Sequence, residues 1–189
     1  TVAVLGIGPV GLSAVAGARL RGAGRIFAVG TRPAAVKVAK EYGATDIISY
    51  REGSTVDQIL DKTGGAGVDA VIVAGGGPEV MMDAINVAKS GSVISNINYF
   101  GSGIGDQDII PLPRVGWGYG MADKNIVTGL CPGGRVRMER LADVVMCGRM
   151  DPSLMATHVF KGFDRLKDAL LLMKEKPRDL IKPVVIVEE

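Results

Sequence analysis

The stretch Val2-Ala3-Val4-Leu5-Gly6-Ile7-Gly8-Pro9-Val10-Gly11 decides how this sequence is read. An apolar run without polar alternation predicts a strand covered on both faces. It opens into a G-x-G-x-x-G turn formed by Gly6, Gly8 and Gly11, and an Ala- and Leu-rich helical segment, residues 10–20, follows. Pro9 suits the first helical turn, where its missing N–H would have had no intrahelical partner. Each glycine then has a distinct task. Gly6 permits the tight turn, Gly8 lets a pyrophosphate approach the backbone, and Gly11 lets helix and strand pack closely. The helix start at Pro9 and Val10 offers free N–H groups and the positive end of a dipole to phosphate oxygens.

The spacing alone is weak evidence. The 189 residues include 27 glycines, and at that frequency roughly half a match arises by chance. The flanking strand and helix, and a second apolar run at residues 26–29, carry the assignment to a dinucleotide site. That run ends at Gly30-Thr31-Arg32. A site for a ribose 2′-hydroxyl wants Asp or Glu about 20 residues past the glycines, and no acid precedes Glu41. Gly30 removes side chain and charge together. Thr31 offers a hydroxyl, and Arg32 a forked guanidinium suited to phosphate. NADP(H) is the expected cofactor.

Charge distribution agrees. The chain carries a net +2, yet residues 1–40 hold Arg19, Arg21, Arg25, Arg32, Lys37 and Lys40 with no acid among them. Arg19, Arg21 and Lys37 read equally well as solvated helix faces, whereas Arg32 stands at the turn that should receive an anion. So small a net charge gives no reason to expect a nucleic-acid surface. Residues 2–18 are uncharged but too short, and too rich in Gly and Pro, for a membrane span. Cys131 and Cys147 match no metal spacing and cannot form a disulfide framework, so a reduced, cytoplasmic setting is expected.

Working outward, apolar runs alternate with helical segments. Strands are expected at residues 46–49, 68–73, 92–96, 126–129 and 184–187. Helices are expected at 33–42, 56–62, 79–88, 136–147 and 163–174, with Leu170-Leu171-Leu172-Met173 as helix core. The fold class is α/β: a Rossmann doubly wound parallel sheet of order 3-2-1-4-5-6, with a C-terminal helical and strand extension. Residues 101–120 lose all periodicity, a length of irregular chain that often marks function. Ala74-Gly75-Gly76 and Ile97-Asn98-Tyr99 end the fourth and fifth strands, where ligands of open α/β sheets bind; an ordinary turn would also explain either segment. His158, in an apolar setting, reads as a packed histidine, and Cys131 as a loop residue. No residue is assigned a catalytic or metal-binding role.

These residues resemble one family: the zinc-type medium-chain alcohol dehydrogenases, and within them the NADP-dependent secondary-alcohol group. Matching stretches are Leu5 to Gly11, RGAGRIFAVGTR at 21–32, YGATDIISY at 42–50, Ala74 to Gly76, SNINY at 95–99, LCPGGR at 130–135 and residues 170–185. Thr31 stands where such proteins usually have Ser. The resemblance implies that Gly30, Thr31, Arg32 and Tyr50 hold the 2′-phosphate end of NADP(H). It also implies that Ile97, Asn98 and Tyr99 line the nicotinamide and that Lys176 reaches the cofactor. Residues 1–123 would form the cofactor domain. Residues 124–189 would supply the last Rossmann strand and a segment that packs on a zinc-bearing catalytic domain not contained in this chain. A homo-oligomer, a tetramer by resemblance, and an alcohol or ketone substrate are implied. The start at Thr1 rather than Met is read as a fragment that binds cofactor without turnover. A zinc-type reductase for a polyol or another carbonyl, or a nucleotide-sensing module, remain the alternatives.

Overall fold

The computed structural model describes residues 1–100, 109–118 and 123–187. Six parallel strands form one sheet: β1 (Val2–Leu5), β2 (Ile26–Val29), β3 (Asp46–Ile48), β4 (Val68–Val73), β5 (Ala88–Asn96) and β6 (Asn125–Thr128). Their spatial order is β3-β2-β1-β4-β5-β6, as expected. The helices are α1 (Pro9–Leu20), α2 (Pro33–Glu41), α3 (Thr55–Lys62), α4 (Val80–Val87), α5 (Arg114–Gly118), α6 (Arg135–Met146) and α7 (Leu166–Glu175).

Period-2 side-chain alternation divides the core between the sheet's faces. Ala3, Leu5, Phe27, Val29 and Ile48 pack with Ile59 of α3 and Met81, Ala84 and Ile85 of α4. Val4, Ile26 and Ala28 point the other way, to Leu12 and Val15 of α1 and Ala35, Val38 and Ala39 of α2. Both faces are therefore covered, which is why these strands read as unbroken apolar runs.

The C-terminal part adds a β-α-β unit in which β7 (Ala156–Lys161) pairs in parallel with β8 (Lys182–Ile186). It is tied to the α1/α2 side. Ile181 joins that core, Met150 and Met155 pack against it, and the Tyr42 hydroxyl donates to the Asp151 carbonyl at 2.7 Å.

Some expectations need correction. β7 lies where no strand is expected, and α5 lies inside the stretch read as aperiodic. Residues 101–108 and 119–120 of that stretch lie outside the described residues. Leu170, Leu171 and Met173 are 59%, 47% and 41% exposed, so they are not helix core here; Ala169 is the buried residue of α7. Cys131 and Cys147 are exposed. His158 is partly buried, with Nδ1 3.1 Å from the Thr157 hydroxyl and Nε2 3.8 Å from Asp179.

Candidate functional site

Sheet register brings the strand ends to one level. Leu5 pairs with both Val29 and Val73, Val29 with Ile48, and Val73 with Asn96. The next residue of each strand continues the ladder for one bond. Gly6 N donates to Val29 O at 3.1 Å, Gly30 N to Ile48 O at 3.0 Å, Ala74 N to Leu5 O at 2.8 Å, and Ile97 N to Val73 O at 3.0 Å. Four turns thus leave the sheet side by side along its carboxyl edge, around the point where β1 has neighbours on both sides.

A cavity of about 570 Å³ opens there. It is lined by Gly6, Ile7 and Gly8 from the first turn, Gly30, Thr31 and Arg32 from the second, Tyr50 beyond β3, and Ala74, Gly75 and Gly76 after β4. The volume lies within the range of small-molecule and cofactor sites.

Glycine is a steric requirement in this turn. Gly6 has φ +91°, and a Cβ there would stand 2.7 Å from the backbone of Gly75. A Cβ on Gly11 would collide with the Gly6 carbonyl oxygen, so the close approach of α1 to the turn depends on its absence. Gly30 lines the cavity, but a Cβ there would meet the side chain of Ile7, which is buried. The bare position at the end of β2 therefore also accommodates Ile7, a packing reason that sequence alone does not reveal. Helix α1 begins with Gly8 as N-cap, without a side-chain cap and without an acid in its first turn. Its free N–H groups face no competing carboxylate from that turn.

The second turn carries the polar groups. The Thr31 hydroxyl and the Tyr50 hydroxyl are 3.0 Å apart. Arg32 donates from Nη1 to the Leu180 carbonyl at 2.8 Å, and its Nη2 lies 3.9 Å from where a Gly8 Cβ would stand. The guanidinium is thus held between the glycine turn and the C-terminal segment.

The other expected residues are placed less directly. Pro9, Val10 and Gly11 form the first turn of α1, with Val10 exposed. Asn98 donates from Nδ2 to Gly76 O at 2.9 Å, tying the β5 turn to the cavity rim. Ile97 and Tyr99 are exposed beside it. Lys176 caps α7 in a left-handed conformation, φ +49°, and is not among the cavity's lining residues.

Thr55, Glu79, Val80 and Asp83 line the opposite wall and were not anticipated. Burial, and secondarily the charge of Glu79, raises the Asp83 carboxyl above the usual carboxylate range. The available signal was position, because Glu79 and Asp83 flank the start of the helix after the glycine run 75–77.

The chain is 60% identical over 187 residues to the NADP-dependent isopropanol dehydrogenase of Thermoanaerobacter brockii, covering 99% of this chain and 52% of that protein. It is 57% identical, with the same coverage, to the protein of that name from Clostridium beijerinckii. The chain therefore spans about half the length of the curated relatives it matches. Among solved structures, alcohol dehydrogenase TADH from Thermus sp. ATN1 superposes with a TM-score of 0.80 at 25% identity, over 99% of this chain and 51% of that one. The model of the family described as zinc-binding dehydrogenase matches residues 9–116, more than half of the sequence and most of the sheet just described. This chain belongs to the zinc-binding dehydrogenases.

Proposed function

We propose that this chain is the NADP(H)-binding part of an enzyme that transfers hydride between a secondary alcohol and its ketone. One observation carries the cofactor choice: β2 ends in Gly30-Thr31-Arg32, with Tyr50 opposite, where a 2′-hydroxyl site would present a carboxylate. The turn after β1 and the start of α1 would hold the diphosphate. Thr31, Tyr50 and Arg32 would hold the 2′-phosphate. The turn Ile97-Asn98-Tyr99 would orient the nicotinamide, and Lys176 would contribute a cation at the outer rim. The cofactor, when bound, accepts or supplies the hydride. The missing side chains at Gly6 and Gly11 keep the diphosphate turn tight enough for backbone N–H groups to reach oxygen.

Residues 1–123 are the cofactor domain on this reading. Residues 124–189 complete its sheet and pack against a catalytic domain carried elsewhere in the full-length protein, where zinc would bind. Among the described residues no group of three or more His, Cys, Asp or Glu side chains is placed to hold a metal ion. The chain's own contribution, with zinc held in the catalytic domain, would be to bind and orient cofactor, without turnover. The enzyme would work as a cytoplasmic homo-oligomer. Its partners would be small alcohols and ketones, not nucleic acid or a membrane surface.

Fluorescence titration of the full-length protein tests the cofactor assignment. NADP⁺ should bind at least about tenfold more tightly than NAD⁺, and Arg32→Ala should remove most of that difference, the scale of one charge-assisted contact. Equal affinities in the wild type would overturn it.

A further inference from the structure

The β2 turn at the cavity is tied to a part of the chain that lies far away in sequence. Arg32 reaches from the β2 turn to the Leu180 carbonyl (2.8 Å), and Arg178 reaches back, donating from Nη2 to the Thr31 carbonyl at 3.1 Å. The two contacts join the same pair of segments in opposite directions, across 148 and 147 residues. Arg178 belongs neither to the glycine motif nor to the residues that the family resemblance assigns to the cofactor.

Charge makes this exchange informative. Among the described residues neither guanidinium is paired with a carboxylate; the neighbouring acid, Asp179, faces His158 at 3.8 Å. Both arginines are instead held by neutral carbonyl oxygens. Two cations fixed at one turn repel each other unless an anion joins them. A dianion at that turn supplies what is missing, and a guanidinium has five donors, so one can remain on the Thr31 carbonyl while others turn toward phosphate.

We propose, resting on the NADP(H) reading above, that Arg178 is a second determinant of cofactor choice. It fixes the Thr31 carbonyl, and so the direction in which Thr31 and Arg32 face the 2′-phosphate. Its own charge adds to the attraction at that turn. The segment around residues 178–181 is then part of the cofactor site, and 2′-phosphate binding is coupled to the seating of the β7–β8 unit.

The test uses the full-length protein and four ligands: NADP⁺, NAD⁺, 2′,5′-ADP and 5′-AMP. Arg178→Ala should weaken NADP⁺ and 2′,5′-ADP by about tenfold, leaving NAD⁺ and 5′-AMP within about twofold. Arg178→Lys should recover part of the loss, because charge returns without the fork. The dependence of NADP⁺ binding on salt should be shallower in the alanine variant. Equal weakening of all four ligands would mean a purely structural role, and no change in any would mean no role; either overturns the proposal. If the alanine variant melts early, Arg178→Lys against Arg178→Gln carries the comparison. The lysine form must then bind NADP⁺ better, with NAD⁺ indifferent. A wild type with no preference for NADP⁺ would instead remove the cofactor reading on which the proposal rests.

Discussion

The chain up to Ile94 and the chain beyond it use apolar residues in opposite ways. Up to Ile94, the large apolar side chains left exposed among the described residues are Val10, Tyr50 and Val93. Two of these, Val10 and Tyr50, stand at the proposed cofactor site. Beyond Ile94, the buried aliphatic side chains among the described residues are Ala169, Leu180 and Ile181, while Val136, Met138 and Leu141 of α6, Leu170, Leu171 and Met173 of α7, and Val159, Val184 and Ile186 of β7 and β8 are all exposed. The first region's core is filled within this chain, so an exposed apolar group there can mark a site. The second region presents a whole face, so a single exposed residue there marks nothing by itself.

The most damaging way to test the first region is to add one carbon to its turn. Gly11→Ala places a Cβ against the Gly6 carbonyl oxygen, a backbone atom that cannot rotate away. Overpacking of this kind costs about 1–3 kcal/mol, and relief requires α1 to move off the turn. Denaturant unfolding should register the loss of stability. Isothermal titration should find cofactor affinity lowered by more than tenfold, because the displaced groups are those that would receive the diphosphate. A stable variant with unchanged affinity would mean that the turn tolerates the carbon and that the close approach is incidental.

A smaller effect concerns how the first region fastens its sheet edge. Asp46, at the start of β3, accepts from Arg25 Nε at 2.8 Å and Nη2 at 2.9 Å, with Lys62 Nζ 3.7 Å away. Hydrogen bonding from Arg25 leads the causes that hold the Asp46 carboxyl below its ordinary value, against opposing desolvation. A carboxylate so lowered adds stability that is present above its unfolded value of about 3.9 and is lost as pH falls through the folded value. Asp46→Asn should therefore lower Tm by about 2–4 °C at pH 7. The gap should close in acid, since the wild type then loses the same charge. A difference that persists unchanged in acid would assign the effect to packing.

The same contrast explains what was legible in the sequence. Strands β1 and β2, and β4 from Ala70 to Val73, could be read because both faces are covered, which turns burial into continuous apolar runs. The glycine turn could be read because it is contiguous and each Cβ it lacks has a local reason. By contrast β7, Ala-Thr-His-Val-Phe-Lys at 156–161, alternates between part-buried and exposed residues, and its mix of polar and apolar side chains gives no apolar run to find. The run Leu170 to Met173 looked like core because a sequence reports that a face is apolar, not what covers it. Glu79, Asp83 and Arg178 escaped notice for another reason. Glu79 and Asp83 reach the cavity through the topology of the sheet, and Arg178 reaches the Thr31 carbonyl through the return of the C-terminal segment; no local spacing encodes either.

The smallest expected effect bears on the second region's open face. Leu170 is 59% exposed on α7, so Leu170→Ser removes little burial that the 189-residue chain itself provides. Its unfolding free energy should change by no more than about 0.5 kcal/mol. In the full-length protein the same substitution should destabilise by about 1–2 kcal/mol if this face packs on the catalytic domain, the scale of one aliphatic side chain returned to water. The informative quantity is the difference between the two measurements. If it is zero, the α7 face faces solvent in both settings, and the asymmetry between the two regions is a property of a tolerant surface. If it matches the burial of a leucine, the apolar face beyond Ile94 is a domain contact, and the two regions differ because only one of them carries its whole core within this chain.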